Sequence, residues 1–310
     1  MTGNDRAIKM LLYEKHVPCV SSGLQGRKMS IMGYFVNRRY NGEALFEDWL
    51  ENVVSGYAPE VDRHIVVYTD NEELSRFVVP GLSIVVVKGN FSDIGENRLN
   101  KVKYLNEFCG TRYAKEADVL SFFQSNLRTT RHVLLDELLP VGFDLAVPYH
   151  PSFPSACGFS ALYHNELVSP SGASVTDIAG KDTSACRYYQ DGHFVGNREA
   201  FVSVVEAMSS MISEDRRIGV KIKGQPFDER YFNFYMNFMD GNNLKVNDLQ
   251  PPVYNCWGSE SPLCKIYQID KRTSAMFSGG LGRRTAEERC QKRIISNDEL
   301  KKRMGYYCYA

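Results

Sequence analysis

Two adjacent carboxylates, Asp228 and Glu229, and the amide of Asn233 interrupt a mostly aromatic stretch that carries Phe227, Tyr231, Phe234, Tyr235 and Phe238. As residue types alone the two carboxylates are the acidic groups that complement the positive end of a helix. A second polar island, Gln124-Ser125-Asn126, directly follows the apolar run Val119-Leu120-Ser121-Phe122-Phe123. The end of a buried strand in an open α/β sheet is where a ligand crevice opens, and it is equally a place where the chain simply turns. His150 lies in His150-Pro151-Ser152-Phe153-Pro154, a turn after a strand-like run, where an imidazole is exposed enough to bind. From Arg272 onward the chain is basic and glycine-punctuated, through Ser278-Gly279-Gly280-Leu281-Gly282-Arg283-Arg284, the usual composition of a solvated surface segment. It ends in a helix that Ser296 and Glu299 are spaced to cap. None of the eight cysteines forms a Cys-x-x-Cys pair, so neither zinc nor a redox centre is indicated and free buried thiols are expected. Cys256 and Cys264, around a Gly-Ser-Glu-Ser-Pro loop, are compatible with a disulfide in a secreted protein.

Periodicity supplies the elements that must position these groups. Ile31 to Val36, Ile65 to Tyr68 and Ile84 to Val87 read as strands, the last two as buried members of a parallel sheet. Between the first two, Leu45, Trp49 and Val53 share one face of a helix from about Gly42 to Val54. Strand, helix, strand is the α/β signature. An amphipathic helix from about Asn97 to Ala117, with Leu99, Val102, Leu105 or Phe108 and Cys109 at helical spacing, leads into the strand 118–123. Asp144 to Tyr149 is a further strand, and Asn197 caps a helix whose core stripe is Phe201, Val204, Val205, Met208 and Met211.

Composition narrows the classes. Hydrophobic residues at 43% and charged residues at 24% are those of a globular protein, which excludes disorder. A net charge of zero argues against a nucleic-acid partner. No run approaches the ~18 apolar residues of a membrane span, and the N-terminus lacks the apolar segment of a secretory signal.

With these segments in order, the chain resembles glycosyltransferase family 6, the family of blood-group A and B transferases and α-1,3-galactosyltransferase, from about residue 31 to about 257. The block that carries most of the resemblance is Glu107-Phe108-Cys109-Gly110-Thr111-Arg112-Tyr113-Ala114-Lys115-Glu116-Ala117-Asp118-Val119-Leu120. The fold it implies is α/β, the Rossmann-like GT-A fold with a mixed, mostly parallel sheet flanked by helices. The organisation it implies is an N-terminal extension over 1–28, a catalytic domain over 29–270 and a basic tail over 271–310 that closes on the donor. Phe35-Val36-Asn37-Arg38-Arg39-Tyr40 is similar to the family's uridine-binding segment, which implies that Phe35 and Tyr40 flank the uracil and Asn37 contacts it; as bare sequence such aromatics are more often core. Lys101 falls where the family has a donor-contacting arginine. His150-Pro151-Ser152-Phe153 is similar to the acceptor loop, so His150, Phe153 and, farther on, Trp257 are implied acceptor-binding residues.

Tyr188-Tyr189-Gln190-Asp191-Gly192-His193-Phe194-Val195-Gly196 resembles the segment that shapes the donor-sugar pocket, with Gln190 and Gly192 at its two selectivity positions and Asp191 and His193 departing from the family pattern. A glycine there makes room for a 2-acetamido group. By the same resemblance Asp228 holds sugar hydroxyls and Glu229 faces the anomeric carbon as the catalytic carboxylate, a role suited to an oxocarbenium-like transition state. Gln124, Ser125 and Asn126 occupy the place of the family's metal-binding Asp-x-Asp. Neutral amides are poor ligands for a hard dication, so no metal is expected, with manganese the fallback, as in the metal-independent bacterial-type members. Lys271, after Asp270, stands where the family binds the diphosphate. The activity implied is a retaining hexosyltransferase that moves N-acetylgalactosamine or galactose from a UDP-sugar in α-1,3 linkage to a terminal galactose of a glycan. The alternatives are a transferase of this fold with another donor and a non-catalytic nucleotide-sugar or glycan-binding protein. A bacterial source would place it in the cytoplasm, and a Golgi or secretory lumen would apply to a chain trimmed of an anchor.

Overall fold

Residue alternation in the first strand shows how the molecule is layered. In β1 (Lys28–Phe35) Ile31 and Phe35 enter one core while Met32 and Tyr34 enter a second on the opposite face. Strands apolar on both faces belong to a sheet covered on both sides. The computed structural model describes residues 26–36, 42–89, 91, 94–149, 174–178, 180–220, 227–250, 253–257 and 264–269, with the backbone alone for 94, 95, 227, 242 and 255–257. After β1 come α1 (Glu43–Gly56), β2 (Asp62–Thr69), β3 (Leu82–Val86), α2 (Ile94–Cys109), α3 (Arg112–Glu116), β4 (Val119–Phe123), β5 (Leu127–Thr129), α4 (Leu135–Leu138), β6 (Leu145–Pro148) and β7 (His193–Asn197). They are followed by α5 (Arg198–Arg217), α6 (Phe227–Phe238), β8 (Val246–Leu249), β9 (Tyr254–Trp257) and β10 (Ile266–Gln268).

Seven strands form one sheet in the order β3-β2-β1-β4-β7-β6-β8. Only β7 runs antiparallel to its neighbours, pairing Phe123 with His193 and Ala146 with Val195. The fold is therefore α/β, a mixed and mostly parallel open sheet flanked by helices and compatible with a Rossmann-like architecture. Helix α1 covers one face, seating Trp49 against Gly33, where a Cβ would lie only 2.7 Å from the indole ring. Helices α2, α5 and α6 cover the other with Phe108, Phe201, Val204, Met208 and Tyr231. Each such side chain, fully buried, contributes roughly 1.5–3 kcal/mol. A smaller sheet, β5-β10-β9, stands beside the first. Among the described residues no helix is long and apolar enough to cross a membrane.

Three expectations need correction. The run ending at Val87 forms an edge strand, β3, with Val85 and Val86 each 37% exposed, because it pairs with β2 on one side only. The helix expected over 97–117 is two helices. Gly110 ends the first, and Thr111 caps the second by accepting a hydrogen bond from the Ala114 amide. Cys109 and Cys186 are free thiols, whereas Cys264 is in a disulfide whose partner side chain lies outside the described residues. The Asn197 cap and its helix stripe stand as read, with Asn197 Oδ1 2.9 Å from the Ala200 amide. The segments 1–25 and 270–310, with the Ser296–Glu299 cap and the basic tail, lie outside the described residues.

Candidate functional site

Strand order reverses between β1 and β4: the chain moves from β1 outward through β2 and β3, then returns to the other side of β1. In an open α/β sheet the crevice outside the carboxyl ends at such a reversal is where ligands bind. Two of the segments singled out in the sequence end here. Phe35-Val36 leaves β1 toward residues 37–41, and Gln124-Ser125-Asn126 leaves β4. The second is a turn closed by the Leu127 amide donating to the Gln124 carbonyl at 2.9 Å. Of the two readings left open above, the strand-ending turn is what the structure shows, and it stands at the carboxyl end of β4 beside the reversal.

The turn is held from beneath by a group that sequence reading did not single out. Arg128, 1% exposed, donates to the Ser125 carbonyl at 2.9 Å, the Leu127 carbonyl at 2.7 Å and the Leu45 carbonyl at 3.1 Å, and its Nε meets Asp48 at 2.6 Å. A guanidinium offers five donors in a fixed fork, which suits it to hold several carbonyls at once. The turn also holds the smaller sheet, since the Ile269 amide donates to the Asn126 carbonyl at 2.9 Å. Asn126 Oδ1 is buried and has no hydrogen-bond partner among the described residues.

Across β4, the strand β7 brings a second turn alongside. The Gln124 amide donates to the Gly192 carbonyl at 3.0 Å, and a Cβ at Gly192 would fall 2.5 Å from Gln124 Oε1. The room a glycine leaves at this position is therefore filled by the Gln124 amide. Gln190, half-buried, donates its own amide to the Pro148 carbonyl at the end of β6.

Helix α6 fixes this second turn through two asparagines one helical turn apart. Asn233 accepts from the Tyr189 amide at 2.7 Å and donates to the Tyr189 carbonyl at 2.8 Å, and Asn237 does the same to Arg187 at 2.9 and 3.0 Å. Positions i and i+4 share a helix face, as positions i and i+2 share a face of an extended chain, so the two amides serve the segment as a neighbouring strand would. Asn233→Ala is expected to cost about 2–3 kcal/mol, because it strands a buried amide and a buried carbonyl of Tyr189. Urea denaturation reads this as a lowered midpoint. Tyr189 is held at its other end by Asp248, to which its hydroxyl donates at 3.1 Å, while its ring stacks on Tyr149.

At the start of α6 the predicted groups converge. Lys101, on α2, places its ammonium 2.8 Å from Asp191 Oδ2 and in a close ion pair with Asp228 Oδ2, and 5.2 Å from the centre of the Phe122 ring. Lys101, Asp191, Asp228 and Glu229 are all at least nine-tenths buried. Burial pushes the Asp191 carboxyl up, the Asp228 charge adds to this and Lys101 opposes it, leaving it raised to about 7. Asp228 lies below the ordinary carboxylate range: its burial acts upward, but Lys101 and then Arg98 outweigh it. The Lys101 ammonium is held protonated by the two carboxylates against its burial. Asp191 entered the sequence reading only as a departure from a family pattern, and its part as a counter-ion went unread.

His193, the other departure, points to the opposite face of the sheet. Its Nε2 lies 2.8 Å from the Tyr57 hydroxyl, which lies 2.8 Å from Ser121 Oγ. Burial presses the imidazole down to about 3, so it is neutral.

The remaining predicted residues divide clearly. Phe35 is fully buried, with its ring edge-on to Phe46 and Trp49 at 5.2 and 5.0 Å, so it serves the α1 core, the ordinary fate of an aromatic after a strand. Ser125 is buried and presents its carbonyl to Arg128. Asn37, Tyr40, His150, Phe153 and Lys271 lie outside the described residues, as does the side chain of Trp257, whose backbone is in β9. The other seven, Lys101, Gln124, Asn126, Gln190, Gly192, Asp228 and Glu229, are brought together near the carboxyl end of β4.

Fold and site together define an α/β protein with an open mixed sheet and a buried, charge-paired polar cluster at its switch point. The chain matches no protein-family model and no curated protein.

Proposed function

We propose that the chain is a retaining hexosyltransferase of the GT-A type, moving N-acetylgalactosamine or galactose from a UDP-sugar to a galactose-containing acceptor without a divalent metal. The observation that carries this reading is convergence. Lys101, the Gln124-Ser125-Asn126 turn, Gln190 to Gly192 and Asp228-Glu229 come from four separate stretches of sequence, and the resemblance assigns all of them to one donor site.

The chemistry follows from the cluster. Asp228, ionised and fixed by Lys101, accepts hydrogen bonds from sugar hydroxyls, and the adjacent Glu229 supplies the carboxylate that stabilises developing positive charge at the anomeric carbon. The Gln124 amide, seated against Gly192, borders the sugar at the position that discriminates at C2. Manganese does not fit the β4 turn. It offers no carboxylate, and its Ser125 carbonyl already accepts from Arg128. The charge of Lys101 is already matched by two carboxylates, so stabilising the departing UDP falls to Lys271 and the basic tail.

The test is a transfer assay with UDP-galactose and UDP-N-acetylgalactosamine on a panel of β-galactosides, with and without exhaustive chelation. Turnover is expected to survive chelation. Turnover that vanishes and returns with manganese removes the metal-free part. Thermal stabilisation by a UDP-sugar with no turnover at all favours the binding-protein reading.

A further inference from the structure

We propose that Asp191 is a positioning residue that shares one proton with Asp228 across the Lys101 ammonium, so that the pair's protonation sets the charge presented to an anionic sugar-nucleotide. The ligand half of this rests on the function proposed above, and the proton-sharing half does not.

The geometry requires the sharing. Both carboxylates direct Oδ2 at the same ammonium and are within hydrogen-bonding reach of each other, and all three groups are at least nine-tenths buried. With both acids ionised the cluster carries a net negative charge out of reach of bulk water, and two like charges that close do not ionise together at ordinary pH. One proton held between them makes the cluster neutral. That proton resides on Asp191. Lys101 and Arg98, both on α2, favour the ionised form of Asp228, whereas Asp191 feels burial and the Asp228 charge.

The other facing groups do not take the proton's place. Tyr34, on β1, donates its hydroxyl to Asn97 and is held protonated by burial. Glu229 follows Asp228 on α6 and adds negative charge, which favours the shared proton further. His193, next to the Asp191 turn, is neutral and faces the other side of the sheet. Below about pH 7 the cluster is neutral, and above it the cluster carries one negative charge. A UDP-sugar keeps the same charge throughout this range, because each phosphorus of its disubstituted diphosphate keeps only one, strongly acidic, ionisable oxygen, so a change in its affinity reports on the protein.

Two measurements on the full chain test this. Carbon-13 NMR of aspartate carboxyls is expected to show one group titrating near neutral pH in the wild type and none in Asp191→Asn. If every aspartate titrates below about pH 5, the proton sharing is wrong. In calorimetry, UDP-galactose is expected to bind about tenfold more weakly at pH 8 than at pH 6, since a charge that close acts through a dielectric well below that of water. Asp191→Asn, which keeps the hydrogen bonds and stays neutral, is expected to bind equally at both. The same pH slope in the variant overturns the ligand half. No binding of UDP-galactose at either pH overturns that half together with the proposed function, and the NMR titration still decides the proton sharing.

Discussion

Lys101→Met is expected to lower the free energy of unfolding by about 3–5 kcal/mol at pH 8 and by much less at pH 5, because removing one partner of a buried ion cluster leaves uncompensated charge. Methionine keeps the apolar stem over Phe122 and deletes only the ammonium. What remains is Asp191 beside Asp228, both buried, with the ammonium that bridged them gone. The pH dependence follows from linkage. Without Lys101 both carboxyls titrate above their unfolded range. A carboxyl raised in the folded state contributes stability that is fully present below its unfolded pKa, near 4, and is lost as pH rises through its folded value. The deficit therefore opens from about pH 4 upward. The wild type already contains a smaller version, since Asp191, raised to about 7, withdraws stability between about pH 4 and 7. Asp228, lowered by Lys101 and Arg98, acts with the opposite sign and withdraws stability only as pH falls below the ordinary carboxylate range. Urea denaturation at pH 5 and pH 8 measures the difference. A deficit equal at both would mean that the methionine costs packing and not charge.

How much of this was legible depends on how far apart in sequence the partners lie. Alternation and helical spacing report on contacts between a segment and a core, so β1, β2, β4, α1 and the Asn197-capped α5 could be read from single windows. The break at Gly110-Thr111 was also local: a helix-ending glycine followed by a capping threonine, overridden by an apolar spacing that continued through it. The exposure of β3 was not legible. Ile84-Val85-Val86 looks the same whether one neighbour or two flank it, and strand order is decided by the whole chain.

The site divides in the same way. Asp228 and Glu229 were visible as acids in an aromatic helix, and Asn233 and Asn237 carried a readable i, i+4 spacing, but what they hold lies at 187–189. Arg128 gave no signal as one arginine after a turn, because Leu45 and Asp48 stand some eighty residues earlier. Lys101 likewise meets a partner 90 positions away in Asp191, and only the folded sheet shows that an ammonium and two carboxylates constitute one group. Lys101, Asp228 and Glu229 were singled out by resemblance, while the pairing of Lys101 with Asp191 and Asp228 required the fold.

Glu229→Gln is expected to reduce turnover of a UDP-sugar by a hundredfold or more while changing stability little. Removing a group preorganised toward transition-state charge costs about 2.7–4 kcal/mol of barrier in a water-excluded site, and Glu229 is only 5% exposed. Glutamine keeps the shape and loses the charge, so it neither attacks nor stabilises an electron-poor anomeric carbon. A purely structural role makes a different prediction. An acid in the first turn of α6 complements the helix dipole, which is worth roughly 0.3–1 kcal/mol. In that case the variant would melt slightly earlier and turn over normally. The two readings thus separate on different axes, rate in a single-turnover transfer assay and midpoint in a denaturation curve. Asp228→Asn is the companion measurement, because its carboxylate faces Lys101 and its loss disturbs the charge cluster as well as the sugar. A rate lost in Glu229→Gln with an unchanged midpoint therefore assigns the chemistry to Glu229, whereas loss on both axes in Asp228→Asn alone would assign the cluster to folding.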